Sequence, residues 1–107
     1  MILSDTNVKL TFEDGVLTAF ISGDIDHHNA KAARRRIDRE TETCRPRELV
    51  LDLSGVNFMD SSGLGLILGR LTKARELGVD FAVKSPTPAT MKILKLAGGE
   101  RIVRIIE

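Results

Sequence analysis

The chain has 107 residues, 42% of them hydrophobic and 29% charged, which suits one compact domain over residues 1–107 and excludes a disordered chain. Sixteen basic and 15 acidic side chains leave a formal net charge of +1, a balance that argues against a dedicated nucleic-acid binder. Aromatics are only 4%, with no Trp or Tyr, so the core must be aliphatic, and a single cysteine, Cys44, excludes an internal disulfide and lacks the partners of a metal site. The N-terminus, Met1-Ile2-Leu3-Ser4-Asp5, has no basic region followed by a long apolar one, and every apolar run is too short to span a bilayer. The expectation is a soluble, cytoplasmic protein without a membrane anchor.

Val8 to Phe12 alternates apolar and polar residues as a half-buried strand does, and Glu13-Asp14-Gly15 is a hairpin turn into a second strand, Val16 to Ile21. Ser22-Gly23-Asp24 is expected to break that strand. From Asp26 to Thr43 the pattern is helical, with Ala30, Ala33 and Ile37 on one side and Lys31, Arg34, Arg35, Asp38 and Arg39 mostly elsewhere. Arg45-Pro46 stops the helix, because proline lacks the donor that a continuing helix needs. Glu48 to Leu53 reads as a central strand rich in branched aliphatics.

A second helix is expected after Met59 and up to Leu77, with Leu64, Ile67, Leu68, Leu71 and Ala74 as its buried stripe and Gly78 as its C-terminal cap. Val79 to Val83 is a further strand. Thr87-Pro88 caps and opens a third helix, whose Met91, Leu94 and Ala97 face one way; Gly98-Gly99 ends it, and Ile102 to Ile106 forms the last strand. The order ββαβαβαβ predicts an α/β fold with a mixed, mostly parallel sheet, the opening hairpin adding an antiparallel edge.

The chemistry concentrates at Met59-Asp60-Ser61-Ser62-Gly63-Leu64-Gly65, where a loop enters the second helix. One Asp or Ser there is a cap worth ~1 kcal/mol, but three in a row exceed what capping requires. Gly63, Gly65 and Gly69 each cost roughly 1 kcal/mol relative to alanine, which points to close packing on the sheet, to the approach of another protein's surface, or to both, since the three do not share one direction. Phosphorylation of a serine at a helix N-terminus adds about −1.5 to −2 charge where the helix dipole favours an anion. The fold tolerates such a group, while a docking partner meets a new dianion beside Asp60.

Phe58-Met59-Asp60-Ser61-Ser62-Gly63-Leu64-Gly65-Leu66-Ile67-Leu68-Gly69-Arg70 resembles the phosphorylation-site segment of the anti-anti-sigma factors, the STAS-domain family. Gly23-Asp24-Ile25-Asp26-His27-His28-Asn29-Ala30 and the stretch from Ser85-Pro86 to Arg101-Ile102-Val103-Arg104 resemble further signatures of that family, so the likeness covers nearly the whole chain. It implies a STAS-type fold and an anti-sigma factor antagonist acting in sporulation. In that scheme the unphosphorylated form captures an anti-sigma factor that is also a serine kinase, and so releases a sigma factor to activate transcription. The kinase phosphorylates Ser61, and a serine phosphatase removes the phosphate. The resemblance places partner binding on Asp26, His27, Asp60, Ser61, Ser62, Gly63 and Gly65, with Asp60 orienting Ser61 or meeting the kinase and Ser62 as a cap. It implies no cofactor. Two departures stand out: Asp24 occupies a position where glutamate is common, and the chain ends at Glu107 where relatives commonly continue into another helix. The alternative within the family is an interaction module of another stress or signalling pathway with no switch at Ser61.

Other readings are weaker. Asp26-His27-His28 suggests a metal site, but adjacent helical residues point about 100° apart and share a metal poorly. A serine hydrolase would need Gly-x-Ser-x-Gly, and Ser61 is flanked instead by Met59 and Gly63. The glycines lack the Gly-Lys-Ser/Thr of a phosphate loop. Lys31, Arg34, Arg35 and Arg36 form a basic patch that is either a solvated face beside Asp38 and Glu40 or a surface steering an acidic partner.

Overall fold

The computed structural model describes residues 7–107, so the reading of Met1 to Asp5 lies outside the described residues. Strand β1 (Val8–Glu13) turns through Asp14 and Gly15 into β2 (Val16–Ile25). Both turn residues have positive φ, 52° and 79°, which is the demand of a two-residue hairpin whose twist matches its strands. Helix α1 (His27–Cys44) leads to β3 (Glu48–Met59), α2 (Ser61–Leu77), β4 (Asp80–Lys84), α3 (Pro88–Leu96), a single 3-10 turn over Gly99–Arg101, and β5 (Arg104–Ile106). The expected order of elements is the observed one.

The five strands lie in the sheet in chain order, β1-β2-β3-β4-β5, with β1 antiparallel to β2 and every other pair parallel. One side of the sheet, carrying Leu17, Ala19, Leu49, Leu51, Leu53, Phe81 and Val83, joins a single aliphatic core with Ile37 of α1, Ile67 and Leu71 of α2 and Leu94 of α3. The other side carries Lys9, Phe20, Asp52 and Lys84 in one cross-strand row. There Arg104 of β5 pairs with Glu48 of β3, spanning β4 where Ala82 presents only a methyl group.

Ser22-Gly23-Asp24 does not end β2. The strand runs on to Ile25 while β3 runs past Leu53 to Met59, and the two irregular stretches pair with one another: Ser22 with Gly55, Asp24 with Phe58, Ile25 with Met59. The register shifts twice along this stretch, between Phe20 and Ser22 and between Gly23 and Asp24. Gly23 sits at φ +81°, and a Cβ on Gly55 would lie 3.0 Å from the Ser22 Cβ, so residues that look like strand breakers are what let two bulged strands bend together.

Helix α1 opens at Asp26 as its cap and ends at Arg45 in the left-handed region just before Pro46. In α2 the buried face is rotated from the expected stripe. Leu64 and Leu68 are only half-buried, while Gly63, Leu66 and Arg70 are buried beside Ile67, Leu71 and Ala74. The helix packs on α1 as well as on the sheet, so it needs a wider buried face than the sheet alone would demand. Ala97 is exposed and caps α3 instead of joining its buried face, and the last strand begins at Arg104 because Gly99–Arg101 forms the tight turn. No helix among the described residues is long and apolar enough to cross a membrane.

Candidate functional site

Paired neighbours Ile25 and Met59 end two adjacent parallel strands, and each is followed by an aspartate that opens a helix. Asp26 Oδ1 accepts from the His28 and Asn29 amides at 2.9 and 3.0 Å, while Asn29 Oδ1 accepts from the Asp26 amide at 3.0 Å, closing a capping box. The Asn29 side chain also donates to the Asp24 carbonyl at 2.7 Å, tying the cap to the strand before it. Asp60 Oδ1 accepts from the Ser62 amide at 2.7 Å, and the Asp60 amide donates to the Ile25 carbonyl at 3.2 Å. Two helix N-termini, each with its partial positive charge, are thereby fixed side by side at one edge of the fold.

Ser61 is the first residue of α2 and is exposed. Asp60 bonds the amide of Ser62, not the Ser61 hydroxyl, so the expected roles shift: Asp60 is the cap and Ser62 is not. No side chain among the described residues hydrogen-bonds the Ser61 hydroxyl, as the base of a nucleophilic serine would. Ser62 is half-buried and, with His27, Ala30, Lys31, Arg34, Gly65 and Leu66, lines a hollow of about 160 Å³ between α1 and α2. The structure therefore gathers His27, Asp60, Ser61, Ser62 and Gly65 along the joint start of the two helices, with Asp26 capping the first of them.

The three glycines separate cleanly. A Cβ on Gly63 would lie 2.8 Å from the Met59 Cβ and 2.9 Å from its Cγ, so Gly63 is required for packing. A Cβ on Gly65 or Gly69 would meet nothing within 4 Å. Among the described residues, close packing requires glycine at neither of those two positions.

Two features escaped the sequence reading. Phe58 is 55% exposed at the end of β3, directly before the Asp60-Ser61 turn. No alternation marked it, because β3 is buried continuously from Leu49 to Leu53 and irregularly beyond, and the strand was expected to end at Leu53. Arg70 is buried, with its Nε 2.9 Å from Asp38 Oδ1. Burial is the main force lowering the Arg70 pKa; Asp38 opposes that shift and neighbouring Arg34 adds to it. Farther along the two helices, Lys73 meets Glu42 at 2.6 Å, which lowers the Glu42 pKa and raises that of Lys73. Among the described residues, no group of three or more His, Cys, Asp and Glu side chains is placed to hold a metal ion.

Comparison with known proteins follows the same lines. The family model described as the STAS domain matches residues 7–107. The anti-sigma F factor antagonist of Paenibacillus polymyxa is 33% identical over 100 residues, 94% of this chain and 86% of that protein. The solved structure of the anti-sigma factor antagonist SpoIIAA in its unphosphorylated form superposes with a TM-score of 0.79 at 22% identity, over 92% of this chain and 86% of that one. SpoIIAA of Bacillus in its phosphorylated form gives 0.73 at 22% identity, over 92% and 89%. At that level of identity the two structures speak to the fold alone.

Proposed function

The chain belongs to the STAS domain family, and on that premise we propose that it is an anti-sigma factor antagonist whose binding is gated by phosphorylation of Ser61. The observation that carries this reading is the placement of Ser61: exposed, at the first position of α2, beside the hollow shared with α1. The named role of the Paenibacillus relative supports an anti-sigma factor as the partner. The switch rests on the chemistry of a serine at a helix N-terminus, where the dipole accommodates a phosphate that a docked partner would not.

In the unphosphorylated state a partner can press onto Phe58, Ser61 and the bare backbone at Gly65. A phosphate on Ser61 would sit against the α2 N-terminus, where the helix dipole offsets part of its charge and the fold need not change. The partner would instead have to desolvate a dianion next to the Asp60 carboxylate. Binding is lost without any refolding. The expected partners are an anti-sigma factor that is also a serine kinase and a serine phosphatase that resets Ser61. The protein acts by binding, in the cytoplasm and in the control of sporulation, and not by catalysis.

The test incubates the protein with its cognate anti-sigma kinase and ATP and maps the gained phosphate by mass spectrometry. Modification at Ser61 is expected; modification only at Ser62 or elsewhere sinks the assignment. Ser61→Asp should weaken kinase capture, while Ser61→Ala should bind and resist phosphorylation. If both variants bind as the parent does, the module is a STAS interaction domain without this switch.

A further inference from the structure

The hollow beside Ser62 does not end at Arg34. That residue also lines a second, shallower hollow of about 400 Å³, bounded by Arg35, Asp38, Arg39, Glu42 and Arg70; the two hollows adjoin at Arg34 and together make up the α1–α2 channel. Its charge is not balanced within the fold. Of the two acids lining the second hollow, Asp38 is engaged by Arg70 and Glu42 by Lys73. Lys31, Arg34, Arg35 and Arg39 make no ion pair among the described residues.

We propose that this channel is a docking surface for an acidic segment of the protein partner, received by Lys31, Arg34 and Arg35 along its wall and by Arg70 in its floor. The identity of that partner as an anti-sigma factor rests on the function proposed above. Four observations support the surface itself. Arg70 is only 6% exposed, yet among the described residues its Nη1 has no hydrogen-bond partner and its 2.9 Å contact with Asp38 is an ion pair without a well-aligned hydrogen bond, so the guanidinium is under-satisfied inside the fold. Arg34 stands close enough to lower the pKa of Arg70, a like-charge repulsion that an incoming carboxylate would relieve. Gly65, which lines the first hollow, leaves open space on α2 despite its cost to the helix, which admits another chain close to the backbone. The first hollow is lined by Ser62 and His27, so a segment lying in it would pass next to Ser61. A nucleic acid fits less well, because the cations are confined to one seam of a chain with a net charge of +1.

Two arms test this on the whole chain. In the first, isotope-labelled protein is titrated with a short oligoglutamate peptide and, separately, with a single-stranded oligonucleotide of equal charge. Saturable amide shifts at Lys31, Arg34, Gly65, Gly69 and Arg70 are expected from the peptide. Affinity should fall on the order of tenfold in the exposed double variant Arg34→Glu/Arg35→Glu and several-fold in Gly65→Leu, which fills the channel without changing charge. Shifts scattered over the surface, no saturation, or tighter binding of the oligonucleotide at the same residues would overturn the proposal. In the second arm the cognate anti-sigma kinase replaces the peptide. If the parent chain fails to bind it, the proposed function falls while the peptide arm still judges the channel. If the parent binds and the double variant binds equally well with the same salt dependence, the channel is not where the partner's acidic segment lies, and the function stands.

Discussion

Gly63 and Gly65 lie two positions apart in one helix, yet alanine at the two sites should act with opposite sign. At Gly65 the added methyl meets no heavy atom within 4 Å, so what remains is the difference in helix propensity, about 1 kcal/mol in favour of alanine. For a domain of this length that gain raises the melting temperature by about 4–8 °C. In urea, with a slope of ~1–3 kcal/mol per molar, the midpoint moves up by roughly 0.3–1 M. At Gly63 the same propensity gain is opposed by a Cβ placed 2.8 Å from the Cβ of Met59. Neither atom can swing away by rotating a side chain, and Met59 is itself buried, so the backbone at the start of α2 must shift. Overpacking of this kind costs about 1–3 kcal/mol, which outweighs the gain. Urea unfolding followed by circular dichroism measures both variants against the parent. The reasoning fails if Gly63→Ala raises the midpoint, or if Gly65→Ala lowers it. Gly65→Ala should also bind the anti-sigma kinase more weakly while being the more stable protein, which separates a cost in function from damage to the fold.

Other expectations are as concrete. Asp26→Ala removes the acceptor of two amides and should cost about 1 kcal/mol in the same urea assay, with Asp26→Asn recovering most of it. Asp38→Ala strips the counter-charge from the buried Arg70 and should destabilise by ~1–3 kcal/mol, whereas Arg70→Met, of similar volume and apolar, should cost less; the reverse ranking would show that the guanidinium is well solvated. Because Glu42 titrates below its ordinary value of 4.5, its contribution to stability is fully present above that pH and is lost as the pH falls through the lowered value. Glu42→Gln should therefore flatten the acid limb of the stability profile slightly, as befits an exposed pair. Cys44 is held above the ordinary thiol range by burial and by donating to Glu40 Oε1 at 3.4 Å, so iodoacetamide should label it more slowly than free cysteine at pH 8, and faster in Glu40→Gln.

Much of this architecture is legible from periodicity and punctuation. The Asp14-Gly15 turn, the Pro46 stop, the Gly78 cap and the Thr87-Pro88 start all fall where local chemistry puts them, because each is decided by a few neighbouring residues. The failures share a different origin. Ser22-Gly23-Asp24 reads as a break and the third strand reads as ending at Leu53, before Ser54-Gly55, since nothing local reveals that the two stretches lie opposite one another and that each supplies the irregularity the other needs. The buried face of α2 was misjudged for the same reason: a helix wedged between a sheet and another helix buries Arg70, which no amphipathic pattern would place inside. At the site, the resemblance favours Ser61 over Ser62, and the structure adds a physical distinction between them. One is exposed at the helix start; the other is half-buried, its amide held by Asp60.

The spatial order of the strands, identical to their order along the chain, carries a consequence for how the molecule assembles. Each strand adds at the growing rim of those already synthesised, and none must later be threaded between two neighbours. The opening hairpin needs only a two-residue turn, while every later addition closes a loop through one helix, so the entropic barrier is met in modest instalments. A nascent chain could therefore lay down its sheet from one side to the other as it leaves the ribosome. The rim added last, the three-residue β5, would then be the part of the sheet least held and the first to open.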